Sequence, residues 1–571
     1  MQAGKREFSE RKIAMTKRTL RSNTVYNFMR RAHWLTLGLN DEDMEKPKIA
    51  IINSSSDVAI CFSHLDEIAR KMREAIRAAG GIAFELRTVA PSDNFTGTGH
   101  GGYIQSSRDL VANDIEVGVE GPMLDGMVCL ASCDKTTPGQ LMAAGRLNIP
   151  TIIMTCGYQP SGTYLGEHFD FDDLFCNIGH LATGRLTKEE MKAMSDIAIS
   201  GPGVCAGLGT ANSMHCATEA LGMTLPGSTP VLANSTNMWR TVREIGERIV
   251  QMVWDDSKPR DIMTPESFEN AAKVILCVSG SINTIKHLQA IAKEAHVDVD
   301  VYDLYDRFAG EIPLLTAVRP NGKSTTEEFE AAGGTRAIMK QLEGLLKLNA
   351  KTVTGHTVGE NLEGVKVANE EVIRPVSRPL STRPSINIVR GSLVPDSAII
   401  KLSVIDDRPL QFRGPAVIFE GQEGQHDAID ALNTGKIKEG DVVIIRGVGL
   451  KGGPGFGHAS GFVFALDGSG LTGKVAVITD GHASGLVNKT LLAVEATPEP
   501  AGGGPLALVE NGDIISIDVK NKVIDLEVPE SVLADRRKVL LKAPEKKQLG
   551  WLSIYRRTVG PLHEGAVLID S

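Results

Sequence analysis

Residues 133–135 set a thiol, a carboxylate and an amine side by side: Cys133, Asp134 and Lys135. An apolar, strand-like run (MVCLAS) precedes them and a helical pattern (GQLMAAGRL) follows. They therefore stand just beyond a strand's carboxyl end, where open α/β sheets gather ligands. Cysteine sulfur suits soft metal centres and carboxylate oxygen suits hard ones, so the triplet has donors for two different metals next to each other. Standing alone, it would read as a buried cysteine beside a surface ion pair.

Two further segments share the design. NSSSDVAICFSHLDEIA ends an apolar run, breaks, and delivers Cys61 as a helical pattern begins. GPGVCAGLGTANSMHCATEALG presents Cys205 in a glycine-rich turn that opens another helix. Three cysteines in three separated loops do not have the paired short spacings of a zinc ribbon. They would leave a two-iron or four-iron cluster one ligand short, and an open iron can bind substrate. Cys129, Cys156, Cys176, Cys216 and Cys277 lie in apolar or helical settings and read as buried small hydrophobes.

The elements that position these residues follow from periodicity. From about residue 48 to residue 350, strand-like runs alternate with helical patterns. They include KIAIINSS before HLDEIARKMREAIRAAG, PVLANS before MWRTVREIGERIVQMVW, and VILCVSG before TIKHLQAIAKEA. This rhythm predicts a large N-terminal α/β domain with a parallel sheet covered by helices, residues 1–375. Residues 351–385 are polar, punctuated by proline and without helical period, and read as a linker. Short β-rich runs follow, among them SAIIKLSV, PAVIFE, DVVIIRG and KVAVITD. They predict a β-barrel-like C-terminal domain, residues 376–571.

Bulk properties narrow the function classes. A chain of 571 residues with 42% hydrophobic and 23% charged residues can bury substantial cores. A formal charge of −9 gives no reason to bind nucleic acid or anionic membranes. No apolar run reaches the roughly 18 residues needed to span a bilayer. The basic N-terminus (Lys5, Arg6, Arg11, Lys12) is interrupted by Glu7 and Glu10 and leads into no apolar signal core. Eight cysteines in so long a chain do not make a secreted disulfide framework. A cytoplasmic protein is expected.

From about residue 20 to the C-terminus the chain resembles the dihydroxy-acid dehydratase and 6-phosphogluconate dehydratase family, iron–sulfur and magnesium hydro-lyases that include sugar-acid (aldonate) dehydratases. The resemblance rests on CDKTTPGQLMAAGRLNIP, the SDN around Asp93, GPGVCAGLGTANSM, EIPLLTAVRPNGK, FRGPAVIFEGQE, GGPGFG, ITDGHASG and GGPLALVENGDIISID. The opening NSSSD and the CGYQPSG after TIIMTC are more similar to the sugar-acid branch. That branch implies dehydration of an aldonate to a 2-keto-3-deoxy acid. The alternatives within the family are a branched-chain dihydroxy acid and 6-phosphogluconate. Electron transfer through a saturated cluster and an inactive paralogue are the readings from other classes.

The resemblance implies cluster thiolates at Cys61, Cys133 and Cys205, with 2Fe–2S suggested by the sugar-acid branch and 4Fe–4S as the alternative. It places a Mg²⁺ site, or Mn²⁺, at Asp93, Asp134 and Lys135. An ammonium only donates hydrogen bonds, so Lys135 would ligate only when carboxylated on its amine. Ser484, in ITDGHASG, matches the catalytic base. A metal lowers the pKa of bound water from about 15.7 to near 7, and a serine beside two metals could be ionised in a similar way. The resemblance further implies a homodimer or homotetramer, with the site closed between the two domains.

The chain departs from the family in three places. His458 stands where relatives have a glutamate ligand, His482 where they have an arginine, and His100–Gly102 (HGG) where many have an acidic residue. Imidazole is a poor magnesium ligand and a better one for softer divalent ions, so His458 is expected either to ligate a softer ion or to contact substrate.

Overall fold

The structure is a computed structural model that describes residues 25–99, 101–402, 404, 408–421, 423–453, 456–484, 489–540 and 549–569. The basic N-terminal residues, His100, Pro454 and Gly455 of GGPGFG, and Gly485 of ITDGHASG lie outside them.

Four fully parallel strands form the N-terminal sheet: β1 (Lys48–Asn53), β2 (Ile82–Arg87), β3 (Gly126–Ala131) and β4 (Thr151–Thr155), in the order β2-β1-β3-β4. Strands β1, β3 and β4 are buried along their whole length, which is why they read as continuous apolar runs rather than alternating ones. Helix Leu65–Ala78 buries Leu65, Ile68, Ala69, Met72 and Ile76, a single stripe at helical spacing, and packs on helix Thr236–Asp255. A small hairpin follows β4, made of β5 (Gly162–Tyr164) and β6 (Glu167–Phe169).

The predicted rhythm overstates the sheet. VILCVSG is no strand: Val274–Cys277 close helix Pro265–Cys277, which starts with proline at its first position and a Thr264–Ser267 capping box. Every residue from Asn270 to Cys277 is buried, and a helix buried all round shows no polar face to separate it from a strand. PVLANS likewise makes only an isolated bridge, Tyr158 with Leu232. Residues 351–385 hold one short helix, Val358–Leu362, and bury Val353, Val372 and Ile373.

The C-terminal sheet has eight strands: β7 (Ile386–Val389), β8 (Ser397–Lys401), β9 (Gln411–Glu420), β10 (Val442–Arg446), β11 (Ala476–Thr479), β12 (Leu491–Thr497), β13 (Ile514–Asp518) and β14 (Val523–Leu526). Their order is β14-β13-β9-β10-β11-β12-β8-β7. The central four are parallel, and antiparallel pairs flank them on both sides. A bridge between Arg390 and Val523 brings the two edges together, so the sheet is a near-barrel. Alternation divides the burial. Val442 and Ile444 face the barrel interior, whereas Val443 and Ile445 join the core shared with the N-terminal region.

Many contacts join the regions, among them an ion pair and a helix pair. Lys286 and Glu495, both buried, form an ion pair across the boundary. Helix Phe171–Ala182 packs along helix Ser460–Ser469, and close approach there requires Gly179: a Cβ at that position would fall 2.1 Å from the Phe464 carbonyl carbon. Among the described residues no helix is long and apolar enough to cross a membrane. Gly179→Ala is expected to force these helices apart and cost about 1–3 kcal/mol, as overpacking does, read as a lower urea midpoint. An unchanged midpoint would show that the two helices are not in this contact.

Candidate active site

The chain leaves β3 through a sharp turn in which Cys133 takes φ +62°, then enters helix Thr136–Leu147 with Lys135 as its N-cap. The left-handed conformation is uncommon for a residue with a Cβ and is found where surrounding structure over-determines it. It turns the Cys133 thiol toward Cys61, on the one-turn helix Ile60–Ser63, and the two sulfurs hydrogen-bond. That bond draws the Cys61 thiol below its ordinary value, while Cys133 is raised by the same bond and by burial. Cys205 enters from the glycine-rich turn. Asn212 Nδ2 holds that turn, donating to the Cys205 carbonyl at 2.9 Å and the Gly207 carbonyl at 2.8 Å. Burial, then the negative charges of Asp172 and Asp134, push the Cys205 thiol well up.

Three consecutive residues tie these loops together. Ser92 Oγ lies 3.8 Å from Cys61 Sγ, Asp93 Oδ2 accepts from Lys135 Nζ at 2.7 Å, and Asn94 Nδ2 donates to Cys205 Sγ at 3.5 Å. Lys135 is 1% exposed. Burial alone would lower its pKa, but Asp93 and Asp134 outweigh burial and hold it above its ordinary value. Asp134 is pushed up to about 7 by desolvation and by the Asp93 charge, against Lys135. Asp93 Oδ1 is buried without a hydrogen-bond partner. The structure therefore brings Cys61, Cys133, Cys205, Asp93, Asp134 and Lys135 into one cluster.

His458 and Ser484 come from the C-terminal side. Asp480 accepts from the amides of Val448 (3.2 Å) and Gly449 (2.9 Å), and Glu499 from those of Lys451 and Gly452, which anchors the loop leading to His458. His458 and His482 sit on neighbouring backbone segments with rings edge to face, centroids 4.7 Å apart. Both His458 nitrogens engage Ser460, Nδ1 with its amide and Nε2 with its hydroxyl, each at 3.2 Å. The Ser484 amide donates to the same Ser460 hydroxyl at 2.8 Å. His482 is different. Stacked on Phe456 at 4.9 Å, it is buried with neither ring nitrogen hydrogen-bonded. Desolvation and the nearby charges of Lys135 and Lys286 push His458 down to about 4, and desolvation holds His482 well below the ordinary imidazole value. The charge of Lys135 acts on both rings, and Phe175 packs beside His458 with ring centroids 6.4 Å apart.

His482 thus keeps both ring nitrogens without a hydrogen bond, whereas Ser460 engages both nitrogens of His458. Periodicity carries no signal for this difference, because it depends on which ring Ser460 engages. Ser92, Asn94, Ser460 and Asp172 were also not singled out from sequence. Another group of ligand type, His168, Asp170 and Asp173, has ligand atoms all within 4.8 Å of one another. Its carboxylates are spent: Asp170 caps helix Phe171–Ala182, and Arg319 pairs with Asp173 and lies 3.8 Å from Asp170.

The comparisons agree with this architecture. Residues 46–361 match the dihydroxy-acid/6-phosphogluconate dehydratase N-terminal region and residues 371–566 its C-terminal region. The chain belongs to the dihydroxy-acid/6-phosphogluconate dehydratase family. Members are dehydratases, hence hydro-lyases. Curated relatives named dihydroxy-acid dehydratase include those of Methanococcoides burtonii (40% identical, 93% of this chain and 96% of the relative) and Pyrococcus abyssi (41%, 94% and 97%). That of Caldicellulosiruptor bescii is 39% identical over 96% of this chain and all of its own.

Ser460→Ala is expected to cost about 1–3 kcal/mol, because it removes a fully buried hydroxyl shared by His458 and Ser484. Unfolding in urea measures the loss. A change below about 0.5 kcal/mol would show that the hydroxyl does not hold these two loops together.

Proposed function

We propose that the chain removes water from a 2,3-dihydroxy carboxylate to give a 2-keto acid, with Ser484 as the base that takes the C2 proton. The observation that carries the reading is the meeting of three thiols, Asp93, Asp134 and Lys135 on one side of the site with the His482–Ser484 segment on the other.

The donor set fits the family's two inorganic groups. Cys61, Cys133 and Cys205 would hold an iron–sulfur cluster, 2Fe–2S or 4Fe–4S. Asp93, Asp134 and a carboxylated Lys135 would hold Mg²⁺ or Mn²⁺, and the unpartnered Asp93 Oδ1 is an oxygen suited to a cation. When bound, these groups supply Lewis acidity to the substrate carboxylate and C2 oxygen and to the C3 hydroxyl. Ser484, deprotonated under their field, accepts the C2 proton. The C3–O bond breaks, the leaving oxygen departs as water with the proton that Ser484 took from C2, which restores the base, and the enol tautomerises to the 2-keto acid.

The relatives' names make an alkyl-bearing dihydroxy acid the first substrate to assay. A sugar acid is the second, favoured by the polar groups that face the site: His482 and Asp172 have buried polar atoms with no partner. Exposed Val58, Ile60 and Phe95, which flank the Cys61 and Asp93 segments, supply apolar surface for a homo-oligomer. A cytoplasmic setting suits eight unbridged cysteines.

Anaerobically purified protein with Mg²⁺ or Mn²⁺ should form 2-keto acid in a coupled assay over both substrate classes. Ser484→Ala should retain its iron while turnover falls by about 10²–10⁴-fold. Undiminished turnover in that variant would assign the proton to another group.

A further inference from the structure

Helix Phe171–Ala182 begins with three acidic residues, and only two of them are used where they stand. Asp170 Oδ1 accepts the amides of Asp172 (2.8 Å) and Asp173 (3.1 Å), and Asp173 pairs with Arg319. Asp172 contributes its amide to the cap and leaves its carboxyl out. The residue is 7% exposed, and its Oδ2 is buried with no hydrogen-bond partner. A carboxyl oxygen withdrawn from water and left unpaired costs stability.

Three observations fix where it lies. The turn that presents Cys205 makes room for it, since a Cβ on Gly207 would fall 2.0 Å from Asp172 Oδ2. Its charge acts on both Cys205 and Asp134. One turn further along the same helix face, Phe175 packs beside His458. Asp172 therefore lies beside the turn that presents Cys205, and Phe175, on the same helix face, beside His458. Arg319, which pulls its pKa down, is already committed to Asp173, while burial, Asp170, Asp173 and Asp134 push it up.

We propose that Asp172 determines specificity by hydrogen-bonding a substrate hydroxyl beyond C3, so that the substrate class is a polyhydroxylated (sugar) acid rather than an alkyl dihydroxy acid. This rests on the dehydratase reading and narrows it. The pairing holds in either protonation state. A carboxylate accepts from a hydroxyl, a carboxylic acid donates to one, and a hydroxyl does both. An alkyl group does neither, and burying one against Asp172 leaves the orphaned oxygen orphaned. A site built around a hydroxyl in this way rejects the analogue that lacks it far more strongly than an apolar pocket rejects an extra polar group.

The test uses the anaerobic holoprotein, Asp172→Ala and Asp172→Asn. Equilibrium binding and keto-acid formation are measured for a C6 aldonate and for a 2,3-dihydroxy acid with an alkyl chain at C3, and iron content and the visible spectrum are followed in parallel. The wild type should bind and turn over the aldonate preferentially. Asp172→Ala should weaken aldonate binding and kcat/KM by about 10- to 100-fold with the alkyl acid changed less than about threefold. Asp172→Asn, which still pairs with a hydroxyl, should fall between. Iron content should stay constant. Equal loss for both acids, a wild type that binds the alkyl acid as well as the aldonate, or loss of iron in both variants would overturn the proposal. If binding discriminates through Asp172 but no keto acid forms from either compound, Asp172 stands and the dehydration reading fails.

Discussion

A surplus of acidic groups withdrawn from water is the constraint around which this molecule is built. Cys61, Cys133, Cys205, Asp93, Asp134 and Asp172 converge between the two regions, and the cation that meets them from within the cluster is Lys135. With one ammonium among them, three thiols and three carboxyls cannot all ionise out of water. The excess shows as raised pKa values at Cys133, Cys205, Asp134 and Asp172, and as unpaired oxygens on Asp93 and Asp172. Such a cluster is costly in the empty protein and becomes favourable once cations and hydrogen-bond donors enter, which is what a metal-dependent dehydratase requires.

The surrounding structure holds that cost in place. The strained turn at Cys133, the Ser92–Asn94 ties and the Asn212 clamp on the Cys205 turn each fix one donor loop. The near-barrel brings the opposite wall, aligning the His458 and His482 segments through paired backbone and anchoring them by Asp480 and Glu499. Behind this wall the buried Lys286–Glu495 pair and the Phe456 ring join His482 to the N-terminal region, with Lys286 Nζ 5.6 Å from that ring. Rigid placement of both walls lets a proton donor on the substrate and its acceptor meet at hydrogen-bond range.

Much of this was legible in the sequence, for physical reasons that differ from residue to residue. Cys133, Asp134 and Lys135 stand out because a strand, a polar break and a helix follow one another in plain periodicity. Parallel strands such as β1 and β3 are visible as apolar runs because both faces are covered. The same logic misleads at Val274–Cys277, where a helix buried on every side produces an identical apolar run. Asp172 was hidden among three acids that resemble an ordinary capping box, and only the packing against Gly207 separates it from its neighbours. His482 and His458 differ not in their sequence surroundings but in which ring Ser460 engages.

The demand of the site for cations can be measured directly. Chelator-treated, anaerobic protein is unfolded in urea before reconstitution, after reconstitution with iron and sulfide, and again after addition of Mg²⁺. Each group binds only the folded site, so each step should raise the unfolding midpoint, by about 2.7 kcal/mol of stability at a hundred times its Kd. Protein that takes up no iron, or whose midpoint is the same in all three states, would contradict the account.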